Sequence, residues 1–181
     1  MPKITTIEAL EAIYPKAVPL AVTKVQDRLT PSYRAWINAC RFVILSTVGP
    51  GGVDASPRGS KDSVVHLIDD HTLLLPDWPG NNRLDSLRNI VRDPRLSLMF
   101  MIPHQDIVVR LNGVGEVTTD DRLLPLFRRN TALPKAVIKV SLKEVYFQCP
   151  KALKHAGLWN DDAPENHVPT LADFLGELSE A

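Results

Sequence analysis

The chain has 181 residues, of which 44% are hydrophobic and 23% are charged, as in an ordinary globular protein. The 21 basic and 21 acidic side chains cancel, so the sequence has no general attraction for nucleic acid or an anionic membrane, and any anion site must be local. Cys40 and Cys149 lack the spacing of zinc ligands, and no run of roughly 18 apolar residues occurs. We therefore expect a cytoplasmic protein with no metal, no nucleic-acid partner and no membrane span.

The first forty residues predict helices. Apolar residues at helical spacing mark one short segment that stops before Pro15 and a second segment over about 20–29. Thr30 followed by Pro31 is typical of an N-cap and the first helical position, and predicts a helix that ends near Cys40.

From Arg41 the pattern changes to short β-branched and apolar segments separated by turn residues, which predict strands. The glycines at 113 and 115 indicate a bend within one of them. Six or seven strands joined mostly by short turns favour an antiparallel barrel with helical additions. The predicted strands are 41–48, 53–56, 63–68, 71–75, 96–102, 107–118 and 136–148.

Helices are predicted at 83–92 and at about 121–129, between strands of this series. A further short helix follows Pro150, and a surface helix begins after the N-cap Thr170. We expect one domain over 1–181, with helical additions at 1–40 and 150–181.

The segment 54–61, DASPRGSK, combines a strand with a predicted Pro-Arg-Gly turn. The proline fixes φ and Gly59 permits conformations that other residues resist, so Arg58 and Lys61 would point in a defined direction. Two oriented cations beside a hydroxyl, such as that of Ser56, suit phosphate recognition. A solvated strand end fits the same pattern.

The segment 79–83, PGNNR, opens the predicted helix near Arg83. Helix-opening N–H groups lack internal partners and carry partial positive charge, so a phosphate binds well there. Asn81, Arg83 and, one turn on, Ser86 could add side-chain contacts, whereas Asn82 alternatively serves only as an N-cap. We expect this loop and the segment 54–61 to converge on one phosphate.

Familiar catalytic patterns are missing from the sequence. The five histidines have no partner four residues away, and no GxSxG, GxxxxGK[ST] or GxGxxG motif occurs. His66 is more typical of a half-exposed sheet residue than of a base, and Trp159 by itself is more typical of packing than of a cofactor contact. The catalytic residues stay unassigned.

Taken in order, the segments DASPRGS, LLLPDWPGNNRLDSLRNIV and FQCPKALKHAGLW resemble those of the pyridoxamine 5′-phosphate oxidase-like flavoproteins, above all a bacterial FMN-binding subgroup. The resemblance covers about 31–159. It implies a six-stranded antiparallel split β-barrel of the FMN-binding type, and a homodimer with FMN at the subunit interface. It also implies a small-molecule substrate.

The resemblance further implies which residues contact the cofactor. The residues at 81–83 would hold the phosphate. Pro76 and Asp77 would offer backbone groups to the isoalloxazine ring, and Lys151 and Trp159 would approach from the partner subunit. Together with the residues suggested by the two motifs, the expected FMN-binding set is Ser56, Arg58, Gly59, Lys61, Pro76, Asp77, Asn81, Asn82, Arg83, Ser86, Lys151 and Trp159.

The chain departs from the family pattern at three places. Enzymes that make the vitamin end in an Arg-bearing tail, whereas this chain ends LGELSEA, so vitamin synthesis is not expected. The subgroup has an acidic residue after SPRG and an arginine near His155, where this chain has Ser60 and Lys154. We expect an FMN-dependent oxidoreductase acting on a small molecule. The alternatives are a non-catalytic FMN-binding module for storage or sensing, and a deazaflavin-dependent reductase.

Overall fold

The computed structural model describes residues 3–161 and 168–179. Three helices precede the first strand: α1 (Ile7–Glu11), α2 (Pro19–Thr23) and α3 (Pro31–Ala39). α3 begins where the sequence predicts, with Pro31 in its first turn. The predicted helix over 20–29 ends early, because the backbone at Gln26 forms two hydrogen bonds with Val145 instead.

Among the described residues the chain forms seven strands, and every neighbouring pair is antiparallel. Their order in the sheet is β2-β1-β5-β6-β7-β4-β3. The mainly β architecture is confirmed, but seven strands replace the six that the resemblance implies. The strands are β1 (Phe42–Gly49), β2 (Gly52–Gly59), β3 (His66–Leu67), β4 (Thr72–Asp77), β5 (Arg95–Met101), β6 (Val108–Thr118) and β7 (Ala136–Gln148).

A bulge interrupts the pairing of β6 with β7, with the register shift between Asn112 and Gly113. Gly113 is buried, and a Cβ at this position would collide with the backbone carbonyl of Ser141. The irregularity predicted from the glycines is therefore present, and it depends on Gly113 having no side chain.

The helix α4 (Asp85–Arg92) lies between β4 and β5 and packs on β1. Asn89 is buried and donates from Nδ2 to Thr47 Oγ1 over 3.1 Å. Gly49, at the end of β1, leaves no room for a Cβ because the Asn89 amide occupies that space. α4 and the β1–β2 hairpin are consequently held together by a buried polar contact as well as by apolar packing.

The helix predicted over 121–129 is wrong in extent. Only a 3₁₀ turn, Leu124–Phe127, forms, because Pro125 lacks an N–H and the backbone of Arg129 then pairs with Ala132. Beyond the sheet lie α5 (Lys151–Ala156) and α6 (Leu171–Ser179). Thr170 precedes α6 as predicted, and its Oγ1 accepts a hydrogen bond from the Asp173 N–H.

The hydrophobic core lies between the inner face of the sheet, α3 and α4, with Phe100, Leu98 and Ile138 fully buried. By contrast, apolar side chains of α1, α2 and α6 are exposed. None of the described helices is long and apolar enough to cross a membrane.

Candidate functional site

The predicted Pro-Arg-Gly turn is wrong, because residues 57–59 continue the strand β2 as far as Gly59. β2 lies at the edge of the sheet, where Pro57 is tolerated because one side of the backbone needs no ladder hydrogen bond. Gly59 does not adopt a positive φ, so the conformational freedom expected of it is not used.

The strand itself orients the polar side chains of this segment. Side chains alternate along β2, so Asp54, Ser56 and Arg58 share one face and are half-buried, while the residues between them are exposed. Arg58 lies opposite Val43 and Ser56 opposite Leu45, both of which are buried on β1. The three polar groups therefore stand at the edge of the core face of the sheet.

The two segments that the sequence singles out line one cleft. Its volume is about 540 Å³, and its walls are residues 54–58 of β2 on one side, residues 77–87 on the other, and Lys135. This cleft brings together seven residues of the predicted set: Ser56, Arg58, Asp77, Asn81, Asn82, Arg83 and Ser86.

Arg58 and Asp77 form an ion pair across this cleft, with Nη1 2.9 Å from Oδ1. Their side chains are only 24% and 13% exposed. Arg58 belongs to β2 at one end of the strand order and Asp77 to β4 near the other end, so the sheet curls until its ends meet here.

One polar atom of this pair stays unsatisfied. Arg58 Nε is buried and has no acceptor among the described residues. A buried donor without a partner typically costs about 1–3 kcal/mol.

The second wall of the cleft opens α4 without a side-chain cap. Leu84, not Asn82, is at the N-cap position, with φ 59°, and no side chain accepts from the first turn. Asn82 also has a positive φ of 58°, and Asn81 Oδ1 accepts a hydrogen bond from the Arg83 N–H over 3.1 Å. The uncapped N–H groups at the start of α4 border the cleft, where they suit an anion.

Arg83 Nε lies 2.8 Å from Asp85 Oδ2, and 75% of the Arg83 side chain is exposed. Ser86 is buried and donates from Oγ to Asp54 Oδ2 over 3.4 Å, which connects α4 to β2. Both walls of the cleft are therefore joined by direct polar contacts.

Sequence reasoning missed part of the lining. Asp54, Trp78 and Lys135 also line the cleft, and the Lys135 N–H donates to the Asp77 carbonyl over 3.0 Å. Lys135 directly precedes β7, whose first residue Ala136 pairs with Asp77. That pairing of β4 with β7 is the only signal that would have placed Lys135 here, and local sequence does not encode it.

A smaller pocket of about 160 Å³ adjoins the cleft. Two expected residues, Gly59 and Pro76, line this pocket and not the cleft. Arg129 covers the ring of Trp78, with its guanidinium carbon 4.2 Å from the ring centroid, and donates from Nη2 to Ser60 Oγ over 3.0 Å.

Three residues of the expected set lie elsewhere in the described chain. Lys61 is exposed and lines neither the cleft nor the pocket, and Lys151 is exposed at the start of α5. Trp159 donates from Nε1 to the Gln105 carbonyl over 2.9 Å, a packing contact within its own chain. Within the described residues, no group of three His, Cys, Asp or Glu side chains is arranged to hold a metal ion.

The curled antiparallel sheet and the cleft between its ends define a β-sheet protein with a ligand-sized site. The sequence profile of pyridoxamine 5′-phosphate oxidase matches residues 29–149. The chain belongs to the pyridoxamine 5′-phosphate oxidase family, whose members generally bind a flavin.

Solved structures with similar folds share little sequence with this chain. HupZ of Group A Streptococcus superposes with a TM-score of 0.53 at 18% identity, covering 65% of this chain and 91% of HupZ. A candidate pyridoxamine 5′-phosphate oxidase of Lactobacillus delbrueckii gives a TM-score of 0.50 at 23% identity, covering 67% of this chain and 95% of that one. General Stress Protein 26 of Bacillus anthracis gives 0.51 at 15% identity, covering 63% and 88%. No curated protein matches the sequence.

Proposed function

We propose that this chain is an FMN-binding flavoprotein that acts as an oxidoreductase on a small molecule. The observation that carries the proposal is the convergence of Ser56 and Arg58 with residues 81–83 on one cleft. Neither segment alone distinguishes a phosphate site from a polar surface, whereas a shared cleft gives one phosphorylated ligand access to both segments.

The cleft fits the proposed cofactor. Its volume of about 540 Å³ lies within the range of roughly 300–1,000 Å³ typical of small-molecule sites. The phosphate would bind at the uncapped start of α4, near Asn81, Asn82 and Arg83, where backbone N–H groups and an arginine offer donors. The ring would lie towards Arg58 and the end of β4.

Charge alone does not account for binding there. The cleft contains the carboxylates of Asp54, Asp77 and Asp85 and the cations of Arg58, Arg83 and Lys135, which balance formally. Arg58 and Arg83 already form ion pairs, while Lys135 has none within the described residues. Recognition of a phosphate would therefore depend on hydrogen-bond donors that point at it, more than on the net charge of the cleft.

When bound, FMN supplies hydride transfer at N5 of its ring. The role of this chain's residues is to place the ring and to donate hydrogen bonds to its pyrimidine side, where reduced flavin gathers negative charge. Arg58 has a buried Nε without an acceptor at the cleft wall, which makes it the first candidate for that contact.

The proposal extends to the barrel and to the oligomeric state of the protein. The ion pair of Arg58 with Asp77 joins the two ends of the sheet, which supports a split β-barrel formed by one domain with helical ends. We propose a cytoplasmic homodimer with FMN at the interface, in which Lys151 and Trp159 contact the cofactor bound by the other subunit. Light scattering of the purified protein should give twice the mass of the 20.1 kDa chain.

Identification of the cofactor tests the proposal directly. The purified protein should be yellow, absorb in the flavin region and release a compound with the mass of FMN on denaturation. If the released compound has the mass of a deazaflavin, the cofactor is a deazaflavin and not FMN. A folded preparation that stays colourless and takes up no added FMN would refute flavin binding.

Activity separates the oxidoreductase from a storage or sensing module. The FMN-loaded protein should oxidise NADH or NADPH, with oxygen or an added acceptor taking up the electrons. A loaded protein that oxidises neither nucleotide with any acceptor would support the non-catalytic alternative.

A further inference from the structure

We infer that the smaller pocket beside the cleft binds a small organic anion, a monocarboxylate, through Arg129. The pocket has a volume of about 160 Å³ and lies between the end of β2, the end of β4 and the loop that precedes β7. It is lined by Pro57, Arg58, Gly59, Ser60, Val64, Leu75, Pro76, Trp78 and Arg129.

The side chains that line this pocket select for negative charge. They include two guanidinium groups, an indole N–H and a hydroxyl, but no carboxylate. Arg58 is neutralised by Asp77, whereas Arg129 makes no ion pair with any described residue. Arg129 is the group at this pocket whose charge is left for a ligand.

Arg129 is also held in position. Its guanidinium stacks over the indole of Trp78 at 4.2 Å from the ring centroid, and its Nη2 donates to Ser60 Oγ. Stacking occupies the face of the planar guanidinium and leaves N–H groups at its edge, which is the geometry that pairs with a carboxylate. Arg129 is exposed, so its charge is oriented at the pocket by these two contacts and not by burial.

The remaining lining limits the size and character of the anion. Val64, Leu75 and two prolines form an apolar wall, which suits a short aliphatic body. The pocket, at about 160 Å³, is much smaller than the cleft, so the anion's aliphatic body must be short. A short-chain monocarboxylate matches both the charge and the volume.

The pocket shares Pro57, Arg58 and Trp78 with the larger cleft, so an anion bound at Arg129 would lie next to any ligand of the cleft. Assigning this anion as the substrate's carboxylate rests on the proposed function, because it requires FMN in the cleft. Anion binding itself does not depend on FMN.

The test uses propionate, which has a carboxylate on a two-carbon chain, and propionamide, its neutral counterpart of the same shape. Both are titrated into the purified full chain while its 15N–1H correlation spectrum is recorded. Each of the three tryptophans gives one indole signal, and Trp78→Phe identifies that of Trp78. Propionate should shift the Trp78 signal saturably, and propionamide should not.

Arg129→Gln should weaken propionate binding by at least about tenfold, and Arg129→Lys by less, because a point charge is kept and the planar fork is lost. Arg128→Gln is the matched control, since Arg128 is exposed like Arg129 and has the same charge, but does not line the pocket. Equal losses in Arg128→Gln and Arg129→Gln would overturn the inference, as would equal binding of propionamide.

Retention of FMN distinguishes the two proposals. Arg129→Gln should keep its FMN and lose only the response to propionate. If Arg129→Gln loses FMN and the parent chain never responds to propionate, the pocket belongs to the flavin site and the inference fails while the proposed function stands. If the chain takes up no FMN yet binds propionate through Arg129, the inference stands and the proposed function fails.

Discussion

Arg58 and Asp77 lie 19 positions apart in the chain and meet at 2.9 Å, joining the edge strand β2 to β4, which lies next to the other edge strand, β3. The pair is largely shielded from solvent, so it is both part of the cleft wall and a contact between the ends of the sheet. A ligand of the cleft that contacts either side chain would therefore also act on the contact that closes the sheet.

Arg58→Ala should weaken FMN binding by roughly 1.5–3 kcal/mol, because a charge-assisted hydrogen bond is lost. Titration of the apoprotein, followed by quenching of FMN fluorescence, measures the change. Lys61→Ala is the control, since Lys61 is exposed and outside the cleft, and it should bind FMN as the parent does. Unchanged affinity in Arg58→Ala, with the fold intact by circular dichroism, would show that the ligand does not contact Arg58.

Arg83→Ala should also weaken FMN binding by roughly 1.5–3 kcal/mol, while leaving the free energy of unfolding nearly unchanged. The Arg83 side chain is 75% exposed, and exposed ion pairs such as that with Asp85 contribute little to folding. Arg88→Ala removes the same charge from an exposed position of α4 outside the cleft. Equal effects of the two variants on affinity would indicate long-range attraction and not a direct contact.

Gly113→Ala should destabilise the protein by roughly 1–3 kcal/mol, because the added methyl group has no space beside the Ser141 carbonyl at the β6 bulge. Gly51→Ala adds the same group in open space at the β1–β2 turn and should change stability by less than about 0.5 kcal/mol. Urea unfolding curves of both variants measure the difference. A stable Gly113→Ala variant would mean that the bulge adjusts without loss.

Acid should remove a stabilising contribution from two half-buried carboxylates, those of Asp93 and Asp120. Hydrogen bonds from the Arg95 side chain and backbone lower the pKa of Asp93 from 3.8 to about 2, and Arg122 has the same effect on Asp120. The pKa is lower in the folded than in the unfolded chain, so the contribution is present above pH 3.8 and lost as the pH falls towards 2.

The melting temperatures of the parent and Asp93→Asn should therefore differ at neutral pH and converge between pH 3.8 and about 2. Asp121→Asn is the control, because Asp121 is exposed and has no ion pair among the described residues. A difference between parent and Asp93→Asn that stays constant down to pH 2 would contradict the assignment.

The two thiols should react at very different rates. Cys40 is fully buried, burial raises the pKa of its thiol, and its Sγ donates to the carbonyls of Phe42 and Met101. Cys149 is exposed. A thiol reagent should modify one cysteine quickly in the native protein and the second only on unfolding. Cys149→Ser should abolish the fast reaction, and a fast reaction that survives would contradict burial of Cys40.

Local patterns predicted the elements that local chemistry determines. Alternating apolar residues gave β7 with its observed bounds, and Thr30 with Pro31 gave the start of α3. The sequence predicts a turn at the end of β2, where the strand in fact continues, because proline and glycine signal turns locally while an edge position in the sheet accepts both.

The site was predictable only in part. The PGNNR loop and the SPRG strand carried recognisable chemistry, so seven expected residues line the cleft. Lys135 and Arg129 reach the site through the pairing of β7 with β4 and through the loop between β6 and β7. Those contacts join residues far apart in sequence, and no local pattern specifies them.

The packing of Asn89 against Gly49 and Thr47 has a consequence for how a ligand enters the cleft. This contact connects α4 directly to the β1–β2 hairpin. The β2 wall and the α4 wall of the cleft therefore cannot separate without breaking a buried amide contact. Widening of the entrance is then left to residues 78–84, which include the left-handed Asn82 and Leu84. The association rate of a cleft ligand should accordingly respond to changes in that loop. The distance between the β2 wall and the α4 wall, by contrast, is set when the chain folds.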